Sequence, residues 1–277
     1  MATTDLYAVM GNPINHSKSP QIHTQFAEQT KQDLVYSAML VPVDGFNSAV
    51  RDFFKGSGRG LNITVPFKED AFAYVDQLSE RAQTAKAVNT LIRQADGSVM
   101  GDNTDGAGIV RDLTVNLKVA LKGRRVLILG AGGAVRGVLK PVLDEQPTEV
   151  VIANRTFEKA QALADDFAQF GAIRAQRFED LSDSFDVIIN GTSASLQGDL
   201  PPISAQVIGS HTHVYDMMYG KEPTPFMQWA KQHGAAAAYD GLGMLVEQAA
   251  ESFYLWRGVR PDSVAVLNAL RARLMAQ

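Results

Sequence analysis

Gly130-Ala131-Gly132-Gly133 follows the apolar run Val126-Leu127-Ile128-Leu129 and precedes a helical stretch. Glycines let a backbone turn tightly and approach a pyrophosphate. The helix N-terminus behind such a turn offers unpaired N–H groups and the positive end of a dipole. The fit to G-x-G-x-x-G is incomplete, because Val135 holds the last glycine position and Gly137 comes two residues later. Where an NAD site carries Asp or Glu for the ribose 2′-hydroxyl, roughly 20 residues on, this chain reads Ala153-Asn154-Arg155-Thr156, with Lys159 one turn further. A carboxylate there would repel a 2′-phosphate, whereas guanidinium and ammonium groups attract it. The pattern favours NADP(H) over NAD. A bare tight turn, followed by a solvated helix start capped by Thr156, is the plainer alternative. Basic charge at a helix N-terminus opposes the dipole, which counts against it.

A second set of polar residues lies at the ends of apolar runs in the first third of the chain. Ser17 and Ser19 flank Lys18, and paired hydroxyls near a helix start suit a carboxylate. Ser19 could equally just cap its helix. Thr64 and Lys68 surround the rigid Pro66, although an isolated lysine is most often solvated. Asn89 starts a strand and could merely satisfy a turn. Asp102 and Asp105 could each cap the helix that follows, with Asp105 the better candidate for a cleft. Lysine with aspartate can serve as a proton-transfer pair at a carbonyl or alcohol. The ammonium polarises the oxygen and supplies the proton, and the carboxylate orients the ammonium. The hydride itself would belong to the nicotinamide.

Elements that could hold these residues follow from periodicity and breakers. Leu6–Met10 reads as a strand ended by Gly11-Asn12-Pro13. Ser19-Pro20 reads as N-cap and first position of a helix running to about Thr30. Leu34–Val41 is a second strand. A helix over Phe46–Phe54 is closed by Gly56, Gly58 and Gly60, and Leu61–Val65 is a third strand. Asn89–Ile92 and Ser98–Met100 flank the hairpin signal Asp96-Gly97. A helix is expected from Asp105 to about Leu117. Beyond it, non-alternating apolar runs at 126–129, 150–152, 186–189 and 213–215 suit strands buried on both faces of a parallel sheet. The clearest helix between them is Phe157–Phe170. Two further helices, about Leu245–Trp256 and Ser263–Met275, end the chain. The second half has the rhythm of a doubly wound sheet.

The 277 residues suit two domains, and 45% hydrophobic with 20% charged content is ordinary for a globular fold. A net charge of −4 supplies no global basic field for nucleic acid or an anionic membrane. With no cysteine, disulfides, thiol catalysis and thiolate-bound metal are excluded. The histidines, at 16, 23, 211, 213 and 233, show no H-E-x-x-H spacing. His23 reads as structural, and no metal is expected. No G-x-x-x-x-G-K-[ST] occurs. The opening Met1–Tyr7 lacks signal-peptide character, and no apolar run approaches the roughly 20 residues of a membrane span. A cytoplasmic location is expected.

Together the motifs resemble the shikimate dehydrogenase family over essentially the whole chain. The resemblance is carried by Gly11–Pro20 with His23, Asn62–Lys68, Ala87–Thr90, Gly101–Gly106, Gly130–Ala134, Asn154–Thr156, Tyr215–Tyr219 and Asp240–Ala249. It implies an N-terminal α/β substrate domain, residues 1–104 with 241–277. A Rossmann-like NADP-binding domain would span 105–240, with the active site in the cleft between the two. It implies that Ser17, Ser19 and Tyr219 hold a substrate carboxylate. Thr64, Asn89, Asp105 and Gln248 would bind near ring hydroxyls, and Lys68 would be the acid/base paired with Asp105. The cofactor NADP(H) would touch Gly130, Ala131, Gly132, Gly133, Ala134, Asn154, Arg155, Thr156, Lys159, Met217 and Gly241. Lys159 stands where many relatives carry arginine, so it attracts phosphate without a bidentate fork. The implied reaction is reversible reduction of 3-dehydroshikimate to shikimate in aromatic amino-acid biosynthesis, by a monomer or homodimer. Two alternatives remain: a quinate/shikimate dehydrogenase using NAD as well as NADP, and a non-catalytic nucleotide sensor. The two serines and the absence of an acidic residue at Asn154-Arg155-Thr156 speak against the first. Retention of Lys68 with Asp105 speaks against the second.

Overall fold

A computed structural model describes residues 4–192, 194 and 198–276. The chain forms two compact units, Met1–Gly108 with Val246–Asn268, and Ile109–Leu245 with Ala269–Gln277. These bounds differ from the expected ones by a few residues at the first two junctions. They also give the end of the last helix to the second unit.

The first unit is built on a six-stranded sheet. Its strands are β1 (Asp5–Gly11), β2 (Leu34–Leu40), β3 (Gly58–Ile63), β4 (Gln77–Leu78), β5 (Thr90–Arg93) and β6 (Val99–Asp102), in the spatial order β2-β1-β3-β5-β6-β4. β1 pairs parallel with β2 and β3. β5 runs antiparallel to both β3 and β6. The hairpin signal acts as expected: Gly97 has φ +88°, and the Asp96 carboxylate accepts from the Ser98 N–H at 2.9 Å. Helices α1 (Ser19–Thr30) and α2 (Phe46–Lys55) are near the expected spans. Three expectations fail. Lys18, not Ser19, stands at the N-cap of α1, and no side chain caps it. Gly58 and Gly60 do not close α2 but lie in β3, where Gly60 leaves room for the Trp256 indole. The short α3 (Lys68–Tyr74), α4 (Glu80–Ala85) and the two-residue β4 were not anticipated. They are too brief to show a period.

The second unit begins within α5 (Asp105–Arg111), which continues as one π-helical turn over Asp112–Asn116. Its sheet comprises β7 (Arg125–Leu129), β8 (Glu149–Ala153), β9 (Ile173–Gln176), β10 (Val187–Asn190), β11 (His213–Asp216) and β12 (Ala237–Asp240). The order is β12-β11-β10-β7-β8-β9, parallel throughout. The chain moves outward from β7 to β9, returns, and moves outward the other way from β10 to β12. That is the doubly wound dinucleotide-binding order, and its switch point lies between β7 and β10. β9 and β12 went unrecognised in the sequence, the latter because it falls in the Ala235–Ala238 tract. Helices α6 (Gly133–Asp144), α7 (Phe157–Phe167) and α8 (Pro225–Gln232) belong here. α7 stops three residues early in a tight turn over Ala168–Phe170. Leu127 and Leu129 face one apolar layer, Val126 and Ile128 the other, so β7 is buried on both sides. The terminal helices are α9 (Leu242–Arg257) and α10 (Ser263–Ala276). No helix among the described residues is long and apolar enough to cross a membrane.

Candidate active site

In the first unit, β1 and β3 deliver their C-terminal ends side by side. The Thr64 N–H donates to the Met10 carbonyl and the Asn12 N–H to the Val65 carbonyl, each at 3.0 Å. The loop after β1 carries Ser17 and leads to Ser19, the first residue of α1. The turn after β3 carries Thr64 and leads to Lys68, the first residue of α3. A cation at that position opposes the helix dipole. It is met by Asp105 at the start of α5: Lys68 Nζ donates to Asp105 Oδ2 at 2.5 Å. The two side chains are 30% and 13% exposed, so the pair is held yet reachable. Asp105 Oδ1 accepts from Asn89 Nδ2 at 2.9 Å.

The residues behind this pair are locked in turn. Asn89 Oδ1 accepts from the Thr104 N–H at 2.9 Å and from Thr90 Oγ1 at 2.8 Å. Asn103 Oδ1 accepts from the Asp105 N–H at 3.1 Å, while its Nδ2 donates to the Ala87 carbonyl at 3.1 Å. Gln248 on α9 lies 3.5 Å from both Asn89 Nδ2 and Thr104 Oγ1. One turn later, Ser252 Oγ bonds Thr90 Oγ1 at 2.8 Å and receives Asn62 Nδ2 at 3.1 Å. Lys68, Asp105, Asn89 and Gln248 are thus brought together. Asp102 is not a helix cap; it is a buried partner of Arg81. Ser17 and Ser19 face each other across Lys18: Ser17 Oγ accepts the Ser19 N–H at 3.3 Å. The Ser19 hydroxyl makes no cap bond to α1. Tyr219 belongs to the second unit. Burial raises its phenol pKa, and the nearby Asp240 carboxylate raises it further.

In the second unit a cavity of about 720 Å³ opens at the switch point. This is within the usual range for small-molecule sites. Its floor is Gly130, Ala131, Gly132, Gly133 and Ala134; Asn154 and Arg155 form one side. Gly130 takes φ +107°, a left-handed conformation that disfavours any other residue. Gly132 is the N-cap of α6 and brings no side chain to that helix end. A Cβ on Gly132 or Gly133 would meet nothing, so the space over the turn is open to a ligand. The missing third glycine has a structural answer. Val135 is fully buried, and the close approach it needs is made by Gly191 at the end of β10, which lies against the Val135 methyl and the Met217 sulfur.

The basic side of this cavity is arranged by Asn154, whose Nδ2 donates to the Thr156 carbonyl at 2.9 Å. Thr156 is at the N-cap of α7, but its hydroxyl makes no cap hydrogen bond. Arg155 and Lys159 are exposed and carry no ion pair among the described residues. Of the expected cofactor residues, Thr156, Lys159, Met217 and Gly241 are not among those lining the cavity. Met217 packs behind it on Gly191, and Gly241 presses against the Met217 backbone. The opposite wall was invisible in the sequence: Phe178, Gly191, Thr192, Ala194 and Asp199–Pro202 come from loops far along the chain. Buried Asp216 holds that wall. It accepts from Asn190 Nδ2 at 3.2 Å, the Met218 N–H at 3.1 Å and Thr224 Oγ1 at 2.7 Å. Asn190 Oδ1 in turn takes Thr192 Oγ1 at 2.7 Å.

Known families match both units. The shikimate dehydrogenase substrate binding domain matches residues 9–91, the shikimate/quinate 5-dehydrogenase family 113–197, and the shikimate 5′-dehydrogenase C-terminal domain 241–271. The NADP(+) shikimate dehydrogenase of Alkalilimnicola ehrlichii is 61% identical over 268 residues, 97% of this chain and 99% of that protein. The chain belongs to the shikimate dehydrogenase family. Solved structures of similar shape include an Ael1 enzyme from Pseudomonas putida, at TM-score 0.93 and 50% identity, covering 96% of this chain and 98% of that one. Another is shikimate 5-dehydrogenase from Thermus thermophilus in complex with NADP(H) and shikimate. Its TM-score is 0.87 at 33% identity, covering 97% of this chain and 99% of that one. The family's substrate-domain match covers Ser17, Ser19, Thr64, Lys68 and Asn89, and its C-terminal match covers Gln248.

Proposed function

We propose that this chain is an NADP-dependent shikimate dehydrogenase, interconverting 3-dehydroshikimate and shikimate in the cytoplasm as a monomer or homodimer. The observation that carries the reading is the Lys68–Asp105 pair at 2.5 Å, braced by Asn89, in the unit that matches the shikimate dehydrogenase substrate binding domain. Reducing a ketone requires a hydride at carbon and a proton at oxygen. Bound NADPH would supply the hydride.

The protein's own residues deal with the rest. Lys68 donates a proton to the ketone oxygen and recovers one from the hydroxyl in the reverse direction. Asp105 fixes the ammonium and accepts from a ring hydroxyl. Asn89, Gln248 and Thr64 complete hydroxyl recognition, and Ser17, Ser19 and Tyr219 hold the carboxylate. The residues of the cavity fit a dinucleotide diphosphate: glycines without obstructing Cβ atoms, an uncapped helix start, and an exposed guanidinium at the rim with no ion pair among the described residues. Gly130–Ala134 would receive the diphosphate, and Asn154, Arg155 and Lys159 the 2′-phosphate.

The test is a matrix of shikimate and quinate against NADP+ and NAD+, followed by absorbance of reduced nicotinamide. Turnover with shikimate and NADP+ at far higher kcat/KM than any other pair is the expected result. Comparable use of quinate or NAD+ would move the assignment to the dual-specificity enzyme. Silence in every combination would make the chain a nucleotide-binding module without chemistry.

A further inference from the structure

Asp102 is 3% exposed, three residues before Asp105. Its carboxylate takes four donors: Ser79 Oγ at 2.6 Å, Arg81 Nε at 2.6 Å, Arg81 Nη2 at 2.9 Å and the Asn103 N–H at 2.7 Å. Arg81 does not stop there. Its Nη1 and Nη2 both donate to Glu251 Oε1 at 3.2 Å, and Glu251 Oε2 takes Arg260 at 2.7 Å. Glu251 is on α9, three residues after Gln248 and one before Ser252. Helix geometry places those residues on a shared face. One guanidinium therefore bridges the segment that carries Asp105 and the helix that carries Gln248. Asn89 meets both of those side chains with a single amide nitrogen, at 2.9 Å and 3.5 Å.

A buried ion pair is a poor general stabiliser, because desolvation offsets most of the attraction. Burial alone would lower the Arg81 pKa, yet hydrogen bonds and charge from Asp102, then Glu251, raise it overall. The cation is therefore permanent, and its planar fork fixes two carboxylates at a set spacing in a way a single ammonium cannot.

We infer that Arg81 is a positioning residue that sets the distance between Asp105 and Gln248, and through it the enzyme's discrimination between shikimate and analogues lacking a ring hydroxyl. This rests on the shikimate dehydrogenase reading above. Discrimination of this kind depends on polar groups held where the missing hydroxyl would be. Loosening their spacing costs the true substrate and spares the analogue.

The experiment compares wild type with Arg81→Met and Glu251→Gln. Substrates are shikimate and analogues that each lack one non-reacting ring hydroxyl, with KM for NADP+ as the control. Glu251→Gln removes the charge that Arg81 and Arg260 share on the α9 side and keeps Asp102 paired, so it tests the idea even if Arg81→Met does not fold. For each folded variant, kcat/KM for shikimate should fall by on the order of tenfold to a hundredfold. For the analogues it should fall far less, and KM for NADP+ should stay within about twofold. An unchanged ratio of shikimate to analogue in Glu251→Gln overturns the inference. So does a uniform loss across all substrates and the cofactor, which marks a general structural role. Wild type with no shikimate turnover overturns the underlying reading and the inference with it. An active wild type with intact discrimination in the variants overturns the inference alone.

Discussion

The polar cluster of the first unit and the cavity of the second solve the same problem by opposite means. Around Lys68 and Asp105, position is set by side chains that bond one another: Asn89, Asn103, Thr104 and Asp102 are all at most 3% exposed and mutually satisfied. Around Gly130–Ala134, position is set by backbone, and side chains matter by their absence. A group that must transfer a proton has to be held at one atom and in one direction. A diphosphate needs only several N–H groups and open space. The first region should accordingly fail by losing turnover and the second by losing affinity.

The sharpest way to break that contrast is Lys68→Ala. Turnover should drop by about a thousandfold or more, within the range ascribed to a positioned acid or base. NADP(H) binding, read by quenching or enhancement of nicotinamide fluorescence, should survive within about twofold. An unchanged kcat would remove the catalytic assignment, and a lost cofactor would show that the two regions are not separable.

Arg155→Ala probes the other side. The guanidinium is exposed and makes no ion pair among the described residues, so the fold should not register its loss. KM for NADP+ should rise by roughly tenfold to a hundredfold, as expected for losing a charge-assisted phosphate contact, with KM for NAD+ almost unmoved. Equal rises for both cofactors would refute a 2′-phosphate role.

The glycines permit a finer cut. A methyl on Gly132 meets no protein atom, whereas Gly130 has φ +107° and would place its methyl 3.3 Å from the Gly191 backbone. Gly132→Ala should therefore leave the melting temperature nearly unchanged and weaken NADP+ about tenfold by occupying ligand space. Gly130→Ala should also cost about 1–2 kcal/mol of stability from its left-handed backbone. Calorimetry with cofactor titration on both variants separates the two. If Gly132→Ala binds NADP+ normally, the diphosphate does not lie over that turn.

The two regions also differed in how much of them could be read beforehand. The β7 run, the glycine turn and the Asn154-Arg155 end of β8 are contiguous signals, each local enough to carry its own chemistry. Lys68 and Asp105 stood out one by one, but their pairing was legible only through the resemblance, because nothing in local sequence pairs residues 37 positions apart. The far cavity wall at Thr192 and Asp199–Pro202 had no signature, since it is loop supported by the buried Asp216 network. Arg81 was missed for a related reason: α4 is six residues long and shows no period. Ser19 was misassigned because Ser-Pro is a strong helix-start signal, and the sequence cannot show that Lys18 fills the N-cap.

His23 supplies the smallest effect and a control on the idea that buried polar groups near this site are satisfied. It is fully buried, stacked on Tyr36 at 4.2 Å, and neither ring nitrogen has a hydrogen bond of ordinary geometry among the described residues, although Asn62 lies close by. Burial pushes its pKa from 6.5 down to about 3; Asn62 opposes the shift weakly. Between those values the unfolded chain holds the proton and the folded one does not. Stability must therefore fall as pH falls through that window, and it is fully present above about 6.5. The slope approaches about 1.4 kcal/mol per pH unit. Between about pH 6.5 and 5 the wild type should lose roughly 1–2 kcal/mol that a variant without this group keeps. His23→Phe preserves a ring on Tyr36 and cannot titrate. Its absolute stability can shift either way from repacking, so the readout is the difference in slope between the two proteins in urea titrations across that range. Parallel slopes would mean that the imidazole is protonated in the folded state and has a partner after all. In that case the first unit would have no unsatisfied group at this position, and its contrast with the open glycine cradle would be wider still.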